Sequence, residues 1–229
     1  MDPESLPLKT GRMEKFKMKG LALDSSITKL TVAAKNDNHI VTASFDIGMK
    51  KSETLLPAIT YVMEKAGIET SDLDYMAICK GPGSFTGLRL GFAAVKALEC
   101  STKKNIYGIS TLKANAYPFM NLGKVVISII DAKKDRFYAC AYKEGNELFP
   151  EGDYPYEKLA SLINKIDSKE IILSGAKDDS LVFCETVSPL LKEILVRVPS
   201  SIPPATDSLF SLTEKMIEQG AKPLQDYDG

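Results

Sequence analysis

Apolar and polar positions alternate through three early stretches of the chain and then change period. Lys19 to Leu23, ending at Asp24, predicts a first strand; SITKLTVAAK (26–35) and NHIVTASFD (38–46) predict two more. The junctions Asp24-Ser25-Ser26 and Asn36-Asp37-Asn38 are short and rich in turn formers, so a meander of hairpins is expected. Between Ser52 and Ala66, residues Leu55, Leu56, Ile59, Val62, Met63 and Ala66 fall along one stripe of a helix, with Gly67 placed as its stop. Pro57 suits only a first helical turn, which makes Thr54 the expected cap. LDYMAICKG (73–81) predicts a buried strand, and a second helix runs from GPGSFTGLRLG (81–91) to about Thr102. Phe85, Leu88, Leu90, Phe92, Ala93, Ala94, Val95, Ala97 and Leu98 go nearly all the way round that helix, so cover on more than one side is expected.

The second half repeats the scheme. GKVVISIID (123–131) and DRFYACAYK (135–143) pair across Ala132-Lys133-Lys134, and ELFP adds a short strand after Glu144-Gly145-Asn146. A helix around Tyr156 to Ile166, strands at EIILSG (170–175) and EILVRV (193–198), a loop marked by Pro199, Pro203 and Pro204, and a capped helix at 206–220 follow. Hairpins, then helices and a further strand, twice over, give an α/β protein of two similar lobes. Residues 1–12 carry turn and charge residues without periodicity, and 1–17 are expected to be a disordered or expression-derived leader.

Composition narrows the classes. A chain of 229 residues with 44% hydrophobic content can bury a proper core. Twenty-nine basic residues balance thirty acidic ones, leaving no net field to draw in nucleic acid or an anionic membrane. The longest apolar stretch, Val125 to Ile130, is far too short to span a bilayer, and no signal peptide opens the chain. Cys79, Cys100, Cys140 and Cys184 stand far apart without a CxxC pair, which argues against zinc and fits buried free thiols in a reducing cytoplasm.

The glycine-rich loop is the first place to look for chemistry. A phosphate-cradling P-loop needs a lysine after its last glycine, where this chain has Leu88 after Gly87. A dinucleotide fingerprint needs one residue fewer before Gly87, and Pro82 removes an amide that an anion nest would use. Two readings stay open. Asp24, Ser84, Thr86 and Arg89 form a vestigial nucleotide or anion site at the start of the second helix; or Ser84 only caps that helix while Gly87 and Gly91 let another helix come close. His39 is the one histidine, so no imidazole pair can hold a metal and no metal site is expected. Asp24 also reads as a turn former, and Asp131 with Lys133-Lys134-Asp135-Arg136 as a binding cluster or a solvated hairpin tip. No acid, base and nucleophile assemble, so no catalytic residue is expected.

GPGSFTGLRLG closely resembles the signature of the bacterial TsaB family, also called YeaZ. GLALDSS (20–26), KSETLLPAI (51–59) and IIDAKKDRFYACAY (129–142) resemble further stretches of that family in the same order, over roughly residues 18 to 175. The resemblance implies an actin-like, sugar-kinase-like (ASKHA) fold of two ribonuclease-H-like lobes: residues 18–108, then 109–205, with 206–229 packing back on the first lobe. It also implies a natural start at Met13 or Met18. The implied role is a cytoplasmic, non-catalytic partner of a TsaD-like transferase and a TsaE-like ATPase, which together make threonylcarbamoyl-adenosine next to the tRNA anticodon. Contact with tRNA would then be indirect, ATP would belong to the partners with at most weak nucleotide binding here, and a homodimer would form when the chain is alone. The implied interface is the two first-lobe helices: Leu55, Leu56, Ile59, Val62 and Met63 on one, Gly87, Leu88, Gly91, Val95 and Leu98 on the other. A nucleotide-dependent small-molecule kinase or ATPase of the same fold is the alternative; the older glycoprotease label finds no set of metal ligands here. Two departures stand out: Lys51 replaces a histidine common before the Ser-Glu of the first helix, and 223–228 only loosely matches the family's Pro-x-Tyr-x-Arg ending.

Overall fold

Two five-stranded sheets with one and the same strand plan organise the chain. A computed structural model describes residues 17–46 and 50–225. The Met13 start, most of the expected leader and the segment around Tyr227 lie outside the described residues. The first sheet contains β1 (Lys19–Asp24), β2 (Leu30–Asn36), β3 (His39–Phe45), β4 (Tyr75–Cys79) and β5 (Asn105–Ile109) in the order β3-β2-β1-β4-β5. β1, β2 and β3 pair antiparallel, then β1, β4 and β5 parallel. The second contains β6 (Val125–Lys133), β7 (Arg136–Lys143), β8 (Asn146–Pro155), β9 (Glu170–Ser174) and β10 (Leu195–Arg197) in the order β8-β7-β6-β9-β10. Its pairings repeat the first: two antiparallel, then two parallel. Each sheet has ribonuclease-H-like topology, and the pair makes the actin-like fold.

The period-two alternation of the central strands fills a core on both faces of each sheet. In the first lobe Leu21, Leu23, Met76 and Ile78 face α1 (Lys51–Ala66) and α2 (Phe85–Thr102). Ala22, Tyr75, Ala77 and Cys79 face the other way. There they meet Leu209 and Phe210 of α6 (Ala205–Glu218), which returns from the end of the chain. The Tyr75 hydroxyl donates to Glu214 at 2.9 Å, and Lys35 pairs with the same carboxylate. In the second lobe Val125, Ile127 and Ile129 pack with Leu159 of α4 (Tyr156–Ile163) and Phe183 of α5 (Lys177–Thr186). Val126 and Ile130 pack with Leu112 and Ala116 of α3 (Thr111–Ala116).

Several elements depart from the sequence expectations. β5, α3 and α5 appear where the apolar pattern named nothing. β5 is a five-residue run next to Lys103-Lys104. α3 is six residues long, and α5 buries only Ser180 and Phe183, so neither displays a helical stripe. β8 extends past Pro150 to Pro155, which an edge strand tolerates because its outer amides need no partner. Thr54 is no cap: α1 starts at Lys51, Pro57 lies inside the helix, and the Thr54 hydroxyl donates to Lys50 O at 3.1 Å. Gly67 does end α1, in the left-handed conformation at φ 68°. Cys79 and Cys140 are buried as expected, but Cys100 and Cys184 are exposed.

Candidate functional site

The glycine-rich loop is a clasp around the β1–β2 turn. Ser84 N–H donates to Ser26 O at 2.6 Å, the Ser25 hydroxyl to Gly87 O at 2.7 Å, and Thr111 N–H to Gly81 O at 2.9 Å. Ser84 caps α2 by accepting from Gly87 N–H at 3.3 Å. A Cβ on Gly87 would stand 2.0 Å from Ser25 O, and one on Gly91 2.4 Å from Ser25 Oγ and 3.2 Å from Leu23 and Ile78. What these two glycines admit is therefore the β1–β2 turn and the sheet beneath it, not a neighbouring helix. This corrects the close-helix expectation for Gly87 and Gly91.

The same turn carries a buried polar cluster. Asp24, only 2% exposed, accepts from Ser26 N–H at 2.9 Å and from the Ser26 hydroxyl at 2.5 Å. Thr111 Oγ1 donates on to Ser26 Oγ at 3.1 Å. Burial pushes the Asp24 carboxyl above its ordinary range, and the Ser26 bonds only partly oppose it. Lys51, 9% exposed, donates to Ser25 O at 3.2 Å and to Ile27 O. Burial pulls this ammonium down while Asp24 pulls it up, with burial the larger effect.

Above the cluster a cleft of about 740 Å³ opens between the lobes. Lys51, Ser84, Thr86 and Leu90 line it from the first lobe; Asp131, Lys133, Tyr138 and Asp179 line it from the second. Asp131 accepts from Lys133 N–H at 2.7 Å and from Lys133 Nζ at 2.6 Å. Burial works to raise the Asp131 carboxyl, and the Lys133 bonds outweigh it, leaving it below the ordinary range. Asp179 goes the other way: burial, reinforced by the neighbouring Asp131 and Asp178 charges, pushes it up to about 6. Of the four residues expected at a vestigial anion site, the structure brings Ser84 and Thr86 to the cleft and leaves Asp24 sealed beneath it. Arg89 is not there: its guanidinium lies over the Phe85 ring, 3.8 Å from the centroid. Asp179 is a cleft residue that sequence reasoning passed over, and Lys51 stood out there only as the replacement of a histidine. The signal for Asp179 was a glycine and short polar run directly after a predicted strand, the place where an α/β sheet presents its ligands.

The outer face of α1 and α2 is the second candidate. Leu56 and Phe85 are each 60% exposed and Tyr61 51%. Ala93 and Ala97 continue the exposed stripe of α2, and Leu88 and Leu98 are half-buried beside it. The expected interface set is corrected here. Leu55, Ile59, Val62, Met63 and Val95 are buried in the lobe's own core, because their stripe is the one that covers the first sheet. Nor is α2 covered on more than one side, since its buried residues are Gly87, Gly91, Ala94 and Val95 alone.

Residues 48–221 match the family model described as TsaD, tRNA N6-adenosine threonylcarbamoyltransferase. A tRNA threonylcarbamoyladenosine biosynthesis protein TsaB from Buchnera aphidicola subsp. Schizaphis graminum is 35% identical over 153 residues, 65% of this chain and 71% of that protein. The chain belongs to the TsaB (YeaZ) family. TsaB of Escherichia coli is 30% identical over 129 residues, 55% of each chain. YeaZ from Pseudomonas aeruginosa has the same fold, with a TM-score of 0.73 at 24% identity, covering 89% of this chain and 93% of that one. Family members are named for tRNA threonylcarbamoyladenosine biosynthesis, which sets the pathway in which the two surfaces are to be read. No helix among the described residues is long and apolar enough to cross a membrane. Among the same residues no three His, Cys, Asp or Glu side chains group as metal ligands.

Proposed function

We propose that this TsaB-family chain is a cytoplasmic partner subunit that does not itself carry out the transfer. It binds a TsaD-like transferase, working with a TsaE-like ATPase, for threonylcarbamoylation of the adenosine next to the tRNA anticodon. The observation that carries the reading is that Leu56, Tyr61 and Phe85 are each at least half exposed on helices whose inner sides already fill the core, set among exposed polar residues such as Glu53, Thr60 and Glu64. Large apolar and aromatic side chains held outward on rigid helices, with polar residues around them, are the anchors a protein partner would cover. A match to the transferase model along the chain supports a partner built on the same scaffold, helix pair against helix pair. The same face would serve a homodimer when the chain is alone, so the two assemblies compete. ATP and tRNA are handled by the partners.

The test is Leu56→Asp. Analytical ultracentrifugation of the purified variant should show a folded monomer that neither dimerises nor captures the TsaD-like protein of the same organism, and reconstituted tRNA modification should fail. A folded variant that still forms the complex would place the interface elsewhere. Turnover of ATP or modification of tRNA by this chain alone would return it to the enzyme class.

A further inference from the structure

We propose that the cleft between the lobes binds a small zwitterion, with its carboxylate held by Lys51 and the start of α2 on the first lobe and its ammonium by Asp179 and Asp131 on the second. This site is separate from the α1/α2 face and does not depend on the partner reading.

The cleft is large enough for a small molecule: about 740 Å³, within the range of ordinary ligand pockets. Its two walls carry opposite charge. On the first lobe, Lys51 is nine-tenths buried, and two of its three N–H donors go to Ser25 O and Ile27 O. Among the described residues the third N–H has no acceptor. The N-terminal turn of α2 adds positive potential at the same wall, since that turn holds no acidic residue and Ser84 and Thr86 line the cavity. Behind them the Asp24 carboxyl is sealed from the cleft, and it pulls the Lys51 ammonium up less than burial pulls it down. An anionic group in the cleft would relieve the burial that now pulls the Lys51 ammonium down.

The second wall is the reverse. The Asp131 side chain is 8% exposed and neutralised by Lys133, whose own side chain is 79% exposed. Lys133 also acts on Asp179, so two carboxylates share one ammonium and the wall keeps a negative charge, with Asp178 nearby adding to it. A dicarboxylate or a phosphate would meet repulsion there. A diamine would meet Lys51. A ligand with one charge of each sign satisfies both walls at once.

The experiment is a series of ω-amino acids from glycine to 5-aminovalerate, titrated into the full chain by calorimetry and thermal shift. Butyrate, butylamine and inorganic phosphate serve as single-sign probes. One or more of the zwitterions should raise Tm and bind, while each single-sign probe gives no more than a weak response. Asp179→Asn should weaken the best zwitterion roughly tenfold, as expected for one lost charge-assisted bond. Lys51→Gln should do the same, and Asp179→Asn on its half-buried wall supplies the result if Lys51→Gln melts. In the wild type, affinity should fall as pH drops through about 6, where Asp179 takes up its proton. Absence of binding by every zwitterion, equal binding of butyrate or phosphate, or an undiminished affinity in Asp179→Asn would each overturn the proposal.

Discussion

Gly87 shows how much of this chain's character rests on single atoms. Its missing Cβ leaves room for Ser25 O, a backbone atom fixed at the end of β1, whereas Gly91 faces the Ser25 hydroxyl, which can rotate away. Gly87→Ala should therefore destabilise by about 1–3 kcal/mol. In a chain of this size each kcal/mol lowers Tm by about 2–4 °C. Gly91→Ala should cost less, chiefly the Ser25 bond to Gly87 O. Equal melting temperatures for the two variants would sink this steric distinction. Asp179 allows a pH argument. Its folded-state carboxyl sits at about 6 against an ordinary 3.8, so between those values the folded state holds more protons than the unfolded state and stability falls as pH rises. Removing the charge should reveal this: the Tm of Asp179→Asn minus that of wild type should grow from about pH 4 to pH 6 and then level off. A difference that shrinks over that window would contradict the buried-carboxylate assignment.

At the scale of elements, α1 separates two residues that look alike in sequence. Leu56 and Val62 both belong to the apolar stripe, yet Leu56 is 60% exposed and Val62 fully buried. Val62→Asp should put an unpaired carboxylate into the first lobe's core and lose several kcal/mol, seen as collapse of the circular dichroism melt. Leu56→Asp should melt as wild type does. The contrast shows where sequence reading succeeds and where it stops. Strands such as Leu21–Leu23 were legible because their alternation continues into packing on both faces. The stripe of α1 was legible as a stripe, but six apolar positions span more than the face a single sheet can cover. Nothing in the spacing tells which of them turns outward. Loop 81–91 was legible as a special turn and Ser84 as a cap. Its contact was not, because the partner atom, Ser25 O, is backbone and carries no residue signature. α5 escaped notice because it buries so little, and Asp179 escaped with it.

At the scale of the molecule, the two lobes repeat each other down to their first turns. β1 ends in Asp24, whose carboxylate accepts from the amide two residues on; near the end of β6, Asp131 does the same with Lys133 N–H. One copy is sealed and the other lines the cleft, so the duplication has diverged in burial while keeping its local geometry. The lobes also differ in how their backs are closed. The face of the first sheet turned away from α1 and α2 is covered by α6, which returns from beyond the whole second sheet, with Phe210 1% exposed against Ala22, Tyr75 and Ala77. Beyond α6, Leu224 N–H donates to Ile106 O at 2.8 Å, so the tail also occupies the free edge of β5. The back of the second sheet instead meets α3, its neighbour in sequence. The first lobe therefore reaches full stability only when the end of the chain is in place, and a defect in α6 should be felt there selectively. Phe210→Ala removes the largest side chain that α6 contributes to that seam and should cost about 3–5 kcal/mol. Hydrogen exchange should then lose protection in β1, β4 and β5 while β6 and β9 stay near wild type. Uniform loss across both sheets would mean that the lobes unfold as one unit and that α6 supports them jointly.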